Sequence, residues 1–136
     1  MGTHCVMFCL LFCLVGISTQ YEGEQIEIRY RIFDGEELIV KKSLMINYVK
    51  PTLVGHASMD ILLKELENSM DKKIEIFIDD GALYETINGT SGTKNSELLK
   101  RAKHTRDEIK KFADLEIINV TGDYEMRQEW NKILRV

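Results

Sequence analysis

Apolar and polar positions alternate strictly at the start of the charged part of the chain. Ile26, Ile28, Tyr30 and Ile32 fall on one face, and Glu27, Arg29 and Arg31 on the other. Period two with β-branched and aromatic residues predicts a half-buried strand over residues 26–33. Asp34-Gly35 is a tight-turn signal, and residues 38–49 continue as a second strand. Residues 26–49 therefore read as an antiparallel hairpin, which Lys50-Pro51 breaks.

The period then changes. Ile61, Leu62, Leu66 and Met70 recur at helical spacing, with Lys64, Glu65 and Glu67 turned outward, which predicts a helix over residues 57–70. Ile74-Glu75-Ile76-Phe77-Ile78 is a short apolar run of the kind found where a sheet is covered on both faces. It ends at Asp79-Asp80-Gly81. After the polar, glycine-bearing stretch 88–95, a long helix begins near Ser96, capped by Ser96 or Asn95, with Leu98, Leu99, Ala102, Ile109, Phe112 and Ala113 as its buried stripe. Residues 115–120 form another apolar strand, and Met126, Trp130, Ile133 and Leu134 make the inner face of a closing helix. Strands separated by helices imply parallel pairing with right-handed crossovers, hence an α/β domain. On such sheets ligands sit beyond the carboxyl ends of the strands, which is where Asp79 and Asp80 stand.

A chain of 136 residues supports one domain, and 44% hydrophobic with 29% charged residues describes an ordinary globule. The net charge of −4 gives no general attraction to nucleic acid or anionic membrane. One segment departs from that average: seven basic residues (Lys94, Lys100, Arg101, Lys103, Arg106, Lys110, Lys111) face three acids between positions 94 and 111. This pattern suits a solvated helix face with i,i+4 pairs, or a strip that touches phosphate.

All three cysteines (Cys5, Cys9, Cys13) precede position 14, so residues 21–136 hold no disulfide or thiolate metal site. They sit inside the uncharged run CVMFCLLFCLVGI, residues 5–17. That run falls short of the roughly 20 residues a membrane span needs. It reads as the apolar part of a secretory signal or anchor, with Gly16 and Ser18 as small residues near a cleavage point, although Met-Gly-Thr-His lacks the basic start. It also reads as a buried first β-strand, or as sequence ahead of the true start. The leader reading is placed ahead of the strand, giving a hydrophobic leader over residues 1–20 and a single domain over 21–136.

Residues 74–122 resemble the second half of ribonuclease H-like domains, in particular the reverse-transcriptase-like bacterial branch. The resemblance is carried by the apolar strand ending in Asp79, then Ile87-Asn88-Gly89, then Lys94-Asn95 before the long helix, then the strand Leu115–Val120. It extends more weakly through residues 26–70, whose strand-strand-helix order also fits. It implies a three-layer α/β fold: a mixed sheet with an antiparallel hairpin followed by parallel strands, and helices on both faces. It also implies phosphodiester hydrolysis by two divalent ions, magnesium or manganese, held about 4 Å apart by converging carboxylates.

Carried over position by position, the resemblance assigns the central-strand acid to Asp79 and, approximately, the last acid to Glu129. The first-helix acid falls at or near Ser58, which cannot ligate; Asp60 is close but on another part of the helix. The first-strand acid has no counterpart, because residues 1–20 contain no Asp or Glu. The expectation is a ribonuclease H-like domain without hydrolysis, acting as a nucleic-acid-binding or scaffold module. Lys94, Asn95, Lys100 and Arg101 would contact RNA or an RNA–DNA hybrid. The alternative is a divalent-metal-dependent ribonuclease acting on RNA in such hybrids, with Asp79 and Glu129 catalytic and Asp79, Asp80 and Asp60 holding the metal. A third class, a secreted or membrane-tethered interaction protein, follows from the leader alone; without the leader the chain would be cytoplasmic.

The bland readings are structural. Asp79-Asp80-Gly81 suits a turn, Glu129 a solvated helix, Trp130 the core, and His56 and His104 structural or surface roles. Asn88-Gly89-Thr90 and Asn119-Val120-Thr121 match the glycosylation acceptor pattern.

Overall fold

The computed structural model describes residues 9–14, 25–34, 37–47 and 49–134. Five strands form one sheet: β1 (Cys9–Leu14), β2 (Gln25–Asp34), β3 (Glu37–Asn47), β4 (Lys73–Ile78) and β5 (Asp114–Asn119), in the order β3-β2-β1-β4-β5. Among the described residues four α-helices accompany it: α1 (Pro51–Glu65), α2 (Gly81–Asn88), α3 (Ser96–Ile109) and α4 (Tyr124–Leu134).

The apolar segment read mainly as a leader contributes the central strand. β1 runs antiparallel to β2 and parallel to β4, and β5 extends the parallel half. The other residues of the 1–20 segment lie outside the described residues. Among the described residues no helix is long and apolar enough to cross a membrane.

Helices cover both faces, and the alternation along the strands shows it. Ile74, Ile76 and Ile78 of β4 join Ile28, Tyr30 and Ile32 of β2 and Met59, Leu62 and Leu63 of α1 in the larger core. Phe77 points the other way, into a smaller cluster with Val120, Phe33, Ile118 and Met126, the last on α4. The second cover explains one departure from the expected pattern. Arg31, read as outward-facing, is only 2% exposed. Its Nη1 donates to the Tyr30 carbonyl at 3.0 Å and the Lys42 carbonyl at 3.3 Å, so the charge is hydrogen-bonded where it is buried.

Three element boundaries differ from the periodicity. α1 starts at Pro51, not Ala57, because proline at the first helical position loses no hydrogen bond. Helix α2 fills residues to which the sequence pattern assigns no element: Asp80 caps its start, and Gly89 at φ 77° closes it in the left-handed region that glycine enters freely. On α3, capped by Asn95, Ala102 and Thr105 are buried, whereas Leu99 is exposed. The remaining expected stripe divides, with Phe112 buried just past the helix and Ala113 exposed. The inner face expected of Trp130, Ile133 and Leu134 concerns side chains outside the described residues.

Candidate functional site

The parallel strands end on one side of the sheet, and the acids of interest gather there without converging. Asp79 follows the last residue of β4. Its Oδ2 accepts from Arg127 Nε at 3.0 Å, with the Asp79 side chain 17% exposed and that of Arg127 42% exposed. Arg127 belongs to the first half of α4, whose start is held by Asp123 Oδ1 accepting from the Met126 amide at 3.0 Å. The nearest charge to Asp79 is thus a fixed guanidinium.

Asp80 is occupied differently. It is the N-cap of α2, its Oδ1 accepting from the Leu83 amide at 3.0 Å. Its Oδ2 lies 3.0 Å from where a Cβ on Gly55 would sit, so the glycine lets α1 approach the start of α2. Around this contact opens a cleft of about 280 Å³ lined by Thr52, His56, Asp80, Glu85, Thr86 and Thr93, among others.

Beneath the cleft a buried polar network joins α1, α2 and α3. His56, 1% exposed, faces two threonines: Nε2 is 2.9 Å from Thr86 Oγ1 and Nδ1 is 3.1 Å from Thr105 Oγ1. Either neutral tautomer is satisfied here, since one nitrogen donates to a hydroxyl oxygen and the other accepts from a hydroxyl. Burial, assisted by the Arg101 charge, pushes the ring down to about 4, so it is neutral at physiological pH. Thr105 Oγ1 also lies 3.2 Å from Asp60 Oδ1, and Arg101 Nη2 donates to Asp60 Oδ2 at 3.3 Å. Burial raises the Asp60 carboxyl above its ordinary range, against the pull of Arg101. Asp60 therefore belongs to the α1–α3 interface and opens onto a separate cavity with His104 and Glu108.

The remaining residues singled out from the sequence are dispersed. Glu129 is exposed on α4. Ser58, at or near which the sequence resemblance puts the first-helix acid, is buried and donates to the Val54 carbonyl at 2.8 Å. Asn95 caps α3 through Oδ1, which accepts from the Glu97 and Leu98 amides. Along the basic strip, Lys103 pairs with Asp107 and Lys111 with Glu108, while Arg106 Nη1 donates to the Thr86 carbonyl. Lys94, Lys100 and Lys110 are exposed and have no ion pair among the described residues.

The acids singled out are engaged by different partners: Asp79 by Arg127, Asp80 by the Leu83 amide and Asp60 by Arg101. β1, which lies beside β4, reads Cys-Leu-Leu-Phe-Cys-Leu and carries no acid. Continuing the register Phe12↔Phe77 by two residues sets Leu14 across from Asp79. Among the described residues no three His, Cys, Asp or Glu side chains are grouped to hold a metal ion. Arg127 and Thr86 were not anticipated from the sequence. Arg127 sits one position after apolar Met126 on a short helix, and only its partner across the fold distinguishes it from a solvated arginine.

No family model matches the sequence, and no curated protein matches it. Solved structures do. The ribonuclease H1 of the halophilic archaeon Halobacterium salinarum aligns with a TM-score of 0.72 at 12% identity, covering 88% of this chain and 90% of that one. A ribonuclease H1 isolated from compost by a metagenomic approach aligns at 0.70 and 12% identity, covering 93% and 94%. The same compost enzyme in complex with an RNA/DNA hybrid aligns at 0.64 and 12% identity, covering 88% and 89%. The chain has the ribonuclease H-like fold.

Proposed function

We propose that this protein is a non-hydrolytic ribonuclease H-like module that binds nucleic acid, with an RNA–DNA hybrid as the ligand class. The carrying observation is the absence of any acid on β1, the strand hydrogen-bonded in parallel to β4. Two-metal hydrolysis needs carboxylates from several elements converging on one point. Here Asp79 is tied to Arg127, Asp80 caps α2, and Asp60 is held between α1 and α3. The hybrid is supported as ligand by its presence in the complex of a protein with the same fold. Lys94 and Lys100 supply positive charge that phosphates can displace from solvent.

The test pairs binding with hydrolysis, using the full chain and a labelled RNA–DNA hybrid at low salt. Binding without cleavage in magnesium or manganese is the expected result. Lys94→Ala and Lys100→Ala would each reduce the salt dependence of binding by about one phosphate contact. The second reading, a metal-dependent ribonuclease using Asp79, Asp80, Asp60 and Glu129, is favoured by fold likeness to ribonucleases H1. Cleavage that needs the metal and disappears in Asp79→Asn would establish it instead.

A further inference from the structure

The Asp79–Arg127 pair has a chemical meaning beyond anchoring a helix, one that builds on the nucleic-acid reading above. A carboxylate at the carboxyl end of a central parallel strand needs a cation beside it to meet a polyanion. In this chain a fixed side chain supplies that cation. Arg127 gives Asp79 only its Nε. Its Nη1 and Nη2 have no hydrogen-bond partner among the described residues, and its side chain is 42% exposed. A guanidinium has five donors in a rigid plane, so one edge can hold a carboxylate while the other holds a phosphate.

We infer that Arg127 replaces a divalent cation at the end of β4, neutralising Asp79 through Nε and offering its Nη edge to a phosphodiester of the bound strand. No bond is made or broken. The pair is a phosphate clamp, and binding through it needs no metal. The neighbouring residues agree with a cation of fixed charge one. The register of β1 and β4, continued by two residues, sets Leu14 across from Asp79, Ser58 is turned into its own helix and Asp80 Oδ1 is engaged by the Leu83 amide, so among the described residues no acid joins Asp79 beside Arg127. The Asp79 side-chain oxygen also orients the arginine, which would otherwise sample many rotamers.

Two measurements on the full chain test this. The first uses Mn²⁺ alone, followed by electron paramagnetic resonance. Wild type should show no site that Asp79→Asn removes; a sub-millimolar site that vanishes in Asp79→Asn overturns the inference. The second titrates an RNA–DNA hybrid at matched ionic strength. Wild type should bind equally, within about twofold, in magnesium and in a chelator. Arg127→Ala should weaken binding about tenfold, the size of one charge-assisted hydrogen bond, and Arg127→Lys should recover part of it. Asp79→Asn should tighten binding, because it removes a negative charge and keeps an acceptor for Nε. Weaker binding in that variant overturns the clamp, including in the event that Arg127→Ala does not fold. Binding by wild type that Arg127→Ala leaves intact overturns the clamp alone. A wild-type chain that binds no hybrid overturns the functional reading and the clamp with it.

Discussion

Asp79 and Arg127 stand 48 positions apart in the chain and meet at 3.0 Å, tying the end of β4 to α4 on the face opposite α1. The acid is largely covered and the arginine less so, so water screens the attraction. A double-mutant cycle with Asp79→Ala and Arg127→Ala should return a coupling of about 0.5–1 kcal/mol toward stability. Urea unfolding of the four proteins at neutral pH measures it. Coupling near zero would mean that the pair does not hold α4.

Asp80 offers a contrast between a cap and a metal ligand. Its Oδ1 accepts the Leu83 amide hydrogen bond that α2 cannot satisfy internally. Asp80→Ala should destabilise the protein by about 1 kcal/mol, while Asp80→Asn, an equally good cap, should change little. Thermal unfolding of both variants decides the matter. Equal losses in both would show that the charge, not the cap, is what the fold uses there.

Thr86 and Thr105 each satisfy one nitrogen of a buried ring. Thr86→Val keeps the shape and removes one hydroxyl, leaving His56 Nε2 without its partner. The expected loss is about 1–3 kcal/mol, the cost of an unsatisfied buried polar group. Chemical denaturation should register it. The double change Thr86→Val with His56→Phe should recover part of the loss, unless the larger ring strains the three-helix contact.

The hairpin, the central strand β4 and the long helix were legible because each carries a strong local period. Ile26 to Ile32 alternate, and residues 74–78 are apolar without interruption. β1 was harder, because an uncharged run suits a leader and a buried strand equally and only tertiary pairing separates them. α2 was missed for a related reason. Its eight residues are defined by ends, Asp80 at one and Gly89 at the other, and are too few to show a period. The site was half legible. Asp79 stands where the strand pattern expects a functional acid, but Arg127, Thr86 and Thr105 matter through partners on other elements. No spacing within the chain encodes those meetings.

The His56 network makes stability depend on pH in a direction that the ring environment fixes. In the folded chain the ring sits at about 4, against an ordinary value of 6.5. The unfolded chain therefore binds a proton that the folded one refuses throughout that interval. The histidine's contribution is complete above pH 6.5 and is lost progressively as pH falls toward 4. At 1.36 kcal/mol for each unit, the loss is about 3 kcal/mol. Asp60 works in the opposite sense, since burial raises its carboxyl and favours the folded state as the solution becomes acidic. It offsets part of the loss at the acidic end only. Urea midpoints should therefore fall between pH 7 and pH 5, and His56→Gln should flatten that slope while lowering stability at pH 7. An unchanged slope in the variant would assign the acid sensitivity to other groups, and direct titration of the His56 ring by nuclear magnetic resonance would then place its midpoint near the ordinary value.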